Sequence, residues 1–283
     1  MALPAYASTG ERIWYYAFRV ICALILLFLI FPILVIIPLS FNAQPYFTFT
    51  QEMLRFDPAG YSTRWYDALF SSEEWLSAIR NSFFIATMST LVATSLGTLA
   101  AIGLSRPEMP ARSLITALLI SPMVVPLIIT GAALYSFYAR LNLTDTYFSI
   151  IMAHVVLGTP FVIITVTASM SGFDQGLIRA AQSLGANQVT TFFKVILPLL
   201  LPGVISGALF AFITSLDEIV VVLFLAGPEQ TPMTVRMFSG LREEISPIIL
   251  AVAFILVLVS IATLTTLEML RRRSERIRGM SPA

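Results

Sequence analysis

Two adjacent carboxylates, Asp217 and Glu218, stand inside the otherwise apolar stretch SLDEIVVVLFLAGP, from Ser215 to Pro228. In hydrocarbon an ionised side chain costs at least ~2.5 kcal/mol unless it meets water, a partner or a ligand. Three readings of the pair follow: a contact to a cationic solute, the cap of a broken helix, or a salt bridge to another chain. Other chemistry-bearing residues are sparse. His154 is the one histidine and Cys22 the one cysteine of the sequence, so neither a cysteine metal site nor a disulfide framework can be built within it. A lone imidazole in an apolar run fits a neutral ring hydrogen-bonded to a neighbouring helix. An embedded active site would need paired histidines and acids at helical spacing, and one histidine cannot supply them. The sequence holds no GxxxxGK[ST] motif, hence no phosphate-cradling loop with which to hydrolyse ATP by itself.

The elements that must position these residues are apolar runs. Hydrophobic residues make up 57% of the sequence and charged residues 12%, about half the charged share of a soluble domain. Six runs have the roughly 20 residues needed to cross ~30 Å of hydrocarbon: 14–40, 77–104, 113–137, 147–170, 199–226 and 246–270. Each must satisfy its own backbone hydrogen bonds in lipid, so each reads as a helix. The expected fold is an all-α integral membrane protein with six transmembrane helices. A short N-terminus (1–13) precedes the first span (14–40), an outside segment (41–76) follows, and a five-helix core (77–270) carries a long loop (171–198) between the fourth and fifth spans. A basic tail (271–283) ends the chain. The first run exceeds a signal-peptide core and lacks a small-residue cleavage site, which marks it as a retained span.

Cationic residues in short loops stay on the cytoplasmic side. Arg12, Arg19, Arg106, Arg112, Arg179, Lys194 and the C-terminal cluster RRRSERIR fall on one side if both termini are cytoplasmic, and the loops of the other side offset their arginines with acids. The C-terminal cluster reads as an anchor near anionic lipid. No basic stripe interleaved with aromatics stands out, which sets nucleic acid aside. Pro32, Pro38, Pro122, Pro126 and Pro160 fall within the spans, where each removes a backbone donor. Gly203 and Gly207 have the spacing that lets membrane helices approach closely. Tyr135 and Tyr138 close the third span at interfacial depth, and Tyr135 is a candidate pore-lining residue. The outside segment carries Phe47, Phe49, Phe56, Tyr61, Trp65 and Tyr66, enough aromatic surface for an ordered layer.

The loop from Leu177 to Pro202, LIRAAQSLGANQVTTFFKVILPLLLP, is long, smooth and expected to be cytoplasmic. Ile178, Ala181 and Leu184, then Val189, Phe192, Phe193 and Ile196, recur at helical spacing and predict two short amphipathic helices. Gly185 is placed to end the first of them in the left-handed conformation. A surface of small residues suits close packing of another protein, or the helix lies on the membrane.

This loop resembles the signature of the membrane permease subunits of binding-protein-dependent ABC importers with the type I fold. The signature reads E-A-A, three residues, G, nine residues, then I-x-L-P. Ala180 and Ala181 match the paired alanines, Gly185 the glycine, Val195 stands for the isoleucine, and Leu197 and Pro198 complete the pattern; Arg179 occupies the glutamate position. The resemblance implies that Arg179, Ala180, Ala181, Leu184, Gly185, Leu197 and Pro198 form a coupling element docked on an ATPase subunit. It further implies two ATP-binding subunits that bind ATP and magnesium, a second and different permease, a periplasmic or surface solute-binding protein, and a bacterial inner membrane around them. This chain would then be non-catalytic, without a cofactor or metal of its own. Within the family it is most similar to the second permease of the spermidine and putrescine group, on the Ser215 to Pro228 segment, with Asp217, Glu218 and Tyr135 as candidate pathway residues. Other solutes of the class, an amino acid, an opine or ferric iron, stay open, as does an ion-coupled secondary transporter. The latter would usually show an internal repeat, and none is evident.

Overall fold

The computed structural model describes residues 8–106, 108–174, 176–243 and 246–277. The last six residues of the basic tail (278–283) and the first seven residues therefore lie outside it. The described residues form helices joined by short turns, with a single antiparallel bridge between Asn42 and Tyr61. They divide into two compact units, 8–71 with 246–258, and 72–243 with 259–277.

In the first unit, α1 (Thr9–Ser40) starts at a capping box in which Ser8 and Glu11 bond each other's backbone N–H groups. That satisfies donors which an α-helix leaves orphaned at its start. Of its 32 residues only Leu39 and Ser40 are buried, so nearly all of its apolar surface is left for lipid or another chain. The outside segment is ordered around α2 (Gln51–Leu54) and α3 (Arg64–Ser71). The Trp65 indole N–H donates to the Asn42 carbonyl at 2.7 Å, and Ser40 and Tyr66 share a 2.7 Å hydroxyl bond. Phe41 packs on Tyr66 and on Phe254. Phe56, by contrast, is open to its surroundings at φ 55°.

The second unit is built on α4 (Glu73–Leu104), followed by α5 (Arg112–Ile120), α6 (Leu127–Arg140) and α7 (Tyr147–Met170). Next come α8 (Gly176–Ser183), α9 (Gln188–Thr191), a π-helical turn (Phe192–Ile196) and α10 (Leu197–Asp217). Then α11 (Val220–Leu225) and α12 (Met233–Glu243) lead to α13 (Ile248–Ile277), whose residues are shared between the two units. Helices α4, α7 and α10 pack against one another along their lengths. Val155, Val162, Val166, Ala93, Leu200 and Ala211 fill the space between them.

Small residues make this approach possible. A Cβ at Gly207 would lie 2.7 Å from the Val162 Cα, one at Gly97 2.7 Å from the Val162 Cβ, and one at Gly203 would run into Ser169. The GxxxG pair thus faces α7. Without a hydrophobic force between helices in lipid, such van der Waals packing is what holds them together.

Among the described residues five helices are long and apolar enough to cross a membrane: α1, α4, α7, the continuous run Gln188–Asp217, and Ile248–Thr266 of α13. The expected third span is different. It is split into Arg112–Met123 and Leu127–Arg140, bent by 99°, and counts as a sixth span if the pair crosses as one. Pro122 and Pro126 cause the break: neither can donate to the ladder, and Pro126 sits at the extended N-cap of α6. Pro160, by contrast, is accommodated within α7.

Gly207→Leu is expected to destabilise the detergent-solubilised protein by about 1–3 kcal/mol through overpacking. Gly103→Leu is expected to be neutral, because a Cβ there meets nothing within 4 Å. Thermal unfolding of the two variants checks the contrast.

Candidate functional site

Two regions carry the residues singled out by the sequence. In the first, the chain leaves α7, and the Asp174 carboxylate accepts from the Gly176 N–H at 2.7 Å to start α8. Helix α8 ends at Gly185 with φ 83°. Gly185 N–H donates to the Gln182 carbonyl at 2.9 Å and Ala186 N–H to the Ala181 carbonyl at 3.0 Å, the two bonds of a Schellman ending. A side chain at this φ would be strained, so glycine is required for the turn.

The second half of the loop departs from the expected separate helix. Asn187 caps α9 by accepting from the Thr190 N–H at 2.8 Å, and the backbone then runs without a break through the π turn into α10. The Leu197 N–H reaches back to the Phe192 carbonyl, a wide turn set just before Pro198, whose missing donor leaves the regular ladder one bond short. Leu197 and Pro198 therefore belong to the start of a span.

The outer surface of the loop mixes exposed apolar side chains with polar ones such as Gln182, Asn187 and Lys194. Leu184 is 89% exposed, with Val189 and Phe193 also open, and Arg179, Ala180 and Pro198 are exposed while Ala181 and Leu197 are half-buried. Helix α8 rests chiefly on α9 and the π turn. Its small, uncharged face is thus open apart from the Arg179 guanidinium.

The second region is the acidic pair. It does not lie in the middle of a helix: α10 stops at Asp217 and the chain turns extended at Glu218 before α11 begins. The two acids have separate environments. Glu218 is 7% exposed, and its Oε1 accepts from the Val221 N–H at 2.9 Å. That bond caps α11, while the Thr234 hydroxyl donates to the Glu218 carbonyl at 3.3 Å. Asp217 is exposed and has no hydrogen bond or ion pair among the described residues. One turn earlier, Ser215 shares a 2.6 Å hydrogen bond with His154 Nδ1, tying the end of α10 to α7.

Tyr135 lies on α6, which packs on α11. Its neighbour Leu134 fills the cluster of Val221, Val222 and Leu225, whereas Tyr135 itself is exposed. The acidic break and the loop are not brought together, since the 21 residues of α10 hold them about 30 Å apart at 1.5 Å per residue.

Sequence reasoning passed over a polar latch near the break. Asn81, on α4, donates to the Glu229 and Thr231 carbonyls at 2.8 and 3.2 Å, and accepts from the Tyr147 hydroxyl at 2.8 Å. Ser82 accepts from the Met233 N–H at 2.8 Å, and Arg236 pairs with Glu74 while lying over the Trp75 ring. The Asn81–Ser82 pair in an apolar run was the available signal, because a buried amide there must find partners.

Residues 93–276, from the middle of α4 through α13, match the family of binding-protein-dependent transport system inner membrane components. The chain belongs to that family. It is 31% identical over 247 residues to the spermidine/putrescine transport system permease protein PotC of Haemophilus influenzae, covering 87% of this chain and 93% of the relative. It is 32% identical over 233 residues to the putrescine transport system permease protein PotI of Escherichia coli K12, covering 80% of each. Among solved structures, a chain of a bacterial ABC transporter involved in the import of the acidic polysaccharide alginate superposes with a TM-score of 0.74 at 17% identity. The match covers 94% of this chain and 99% of that one. The fold is thus that of ABC importer permeases, and the family places this multi-pass chain in the inner membrane.

Glu218→Leu is expected to lower stability by about 1–2 kcal/mol by leaving a buried N–H at the start of α11 uncapped, and Glu218→Gln to retain most of it. Asp217→Asn should leave thermal unfolding unchanged, since the carboxylate makes no hydrogen bond or ion pair among the described residues.

Proposed function

We propose that this chain forms half of the translocation pathway of an ATP-driven importer for a small cationic solute, spermidine or putrescine. The observation that carries the importer reading is the exposed, small-residue helix α8, ended at Gly185 and joined through the π turn to α10. Leu184, Ala180 and Ala181 dock in the groove of an ATP-binding subunit, with Arg179 at the rim and Gly185, Leu197 and Pro198 fixing the turn and the start of the span. ATP and magnesium are held by two such partner subunits. This chain contributes no catalytic group, cofactor or metal site.

The loop and both termini face the cytoplasm in this reading. A second, different permease completes the cavity, and a periplasmic solute-binding protein delivers the solute at the opposite face, where the Asn81 latch and the Arg236–Glu74 pair order the surface. Closure of the ATP-binding subunits moves α8, and the continuous run Gln188–Asp217 carries that displacement along the span. The cavity between the permeases thereby opens alternately to the two sides.

The names of the PotC and PotI relatives support the polyamine substrate, together with the exposed Asp217 carboxylate. A protonated amine entering the pathway meets an anion that has no ion pair among the described residues, whereas Glu218 is occupied with α11. Tyr135 is assigned to the same pathway, its ring available for a cation–π contact.

Cells lacking the chain are expected to lose uptake of labelled spermidine and putrescine and to regain it on restoration. Recovery of amino acid or ferric iron uptake instead would discard the polyamine assignment and keep the importer. In the restored system Gly185→Val should reduce uptake at least ~10-fold, because a left-handed β-branched residue costs at least about 1–2 kcal/mol, with membrane insertion intact. Normal uptake by that variant would remove the coupling role. Asp217→Asn should weaken cation uptake by about 10-fold, as expected for loss of one charge-assisted contact; an unchanged rate would take Asp217 out of the pathway.

A further inference from the structure

A cavity of about 350 Å3 lies between the end of α4, the last residue of α7 and the loop elements α8, α9 and the π turn. One part of its wall is apolar, from Leu99, Ile102, Met170, Phe192 and Ile196. The remainder is polar, from Ser105, Arg106, Gln182, Gln188 and Thr191.

The polar part is rich in donors. Arg106 offers five N–H groups, the two glutamines two each, and Thr191 a hydroxyl. Arg106, Gln182 and Gln188 are exposed and bond to no other described side chain, so water serves them, whereas Thr191 is buried. Thr191 is the most informative: it is 2% exposed, and its Oγ1 is buried without a partner. Most buried hydroxyls are hydrogen-bonded, and an unmade bond of this kind costs about 1–3 kcal/mol, so the Thr191 hydroxyl beside the cavity is short of an acceptor. No carboxylate lines the wall, so an arriving anion meets no like charge.

We infer that this cavity binds a phosphate ester carrying an apolar body. The phosphate oxygens accept from Arg106, Gln182, Gln188 and Thr191, and the alkyl part lies along Ile102, Met170 and Phe192. Arginine and amide donors suit this group because its several oxygens accept many bonds at once and charge-assisted ones are the strongest. Two sources share the chemistry, the headgroup of an anionic phospholipid and a soluble phosphomonoester. The ligand bridges α8 to the end of α4 and restrains the loop relative to the span. That restraint acts on transport only if α8 is the coupling element proposed above, whereas the binding itself does not depend on that reading.

Binding is measured on the complete transporter purified in neutral detergent, with phosphatidylglycerol retention followed by native mass spectrometry and hexyl phosphate binding, as the soluble phosphomonoester, by titration calorimetry. Either ligand bound by the wild type and weakened at least ~10-fold by Arg106→Gln, the loss expected for a charge-assisted contact, supports the site and identifies its source. Thr191→Val, which keeps shape and removes the hydroxyl, should weaken the same ligand. Gly103→Leu should displace it by filling the wall, since a Cβ there meets nothing within 4 Å. No binding by the wild type, or equal binding by all three folded variants, overturns the proposal. Solute-stimulated ATP hydrolysis in phosphatidylcholine nanodiscs, with and without the bound ligand, then separates the two readings. A change that Arg106→Gln abolishes supports control through α8, and an unchanged rate with binding intact removes that control while leaving the site.

Discussion

In a membrane a backbone N–H without a partner costs several kcal/mol, and this constraint decides where the helices of the chain are allowed to stop. Each interruption is accompanied by its own remedy. At the end of α10 the buried Glu218 carboxylate takes the Val221 N–H. Before Pro198 the ladder widens into a π turn that pairs Leu197 with Phe192. Between α5 and α6, Pro122 and Pro126 stand where the chain turns by 99°, and neither brings an N–H that would need pairing. A carboxylate inside a span is thus explained here by the backbone it serves, and its exposed neighbour Asp217 is the one left for other work.

The same solvent governs packing. Lipid offers no hydrophobic reward for helix association, so α4, α7 and α10 meet where glycine and alanine let them come close, at Gly97, Gly203 and Gly207 against Val162, Thr165 and Ser169. Helix α1 follows the opposite rule, with a broad apolar surface of bulky Phe, Leu and Ile side chains left open. A helix of that kind is finished by its surroundings, through lipid or another chain.

Much of this was legible in the sequence because its cause is local. Apolar runs of span length located α1, α4, α7, α10 and α13, Gly185 marked the end of α8, and the Gly203–Gly207 spacing marked a close face. What was not legible depends on partners distant in sequence. The run 199–226 reads as one helix until Glu218 is seen to cap α11 and to meet Thr234. Val189, Phe192, Phe193 and Ile196 have the periodicity of a separate helix, and only the three-dimensional path shows it continuing into α10. Asn81 could be recognised as costly, but its acceptors at Glu229 and Thr231 lie far along the chain, and spacing cannot reveal such a pairing. The cavity beside Arg106 has no sequence signature, because its wall is assembled from the ends of five elements.

The unbroken run from Gln188 to Asp217 also has a thermodynamic consequence. It makes the second half of the loop and the acidic break two ends of one continuous helix, roughly 45 Å long at 1.5 Å per residue. Linkage between two such sites runs equally in both directions. If docking at the loop changes the affinity at the break by some factor, occupancy of the break must change docking by that same factor. On the function proposed above, a solute held near Asp217 would then itself be a signal to a partner docked on α8, and a loaded transporter would differ from an empty one before the solute had crossed.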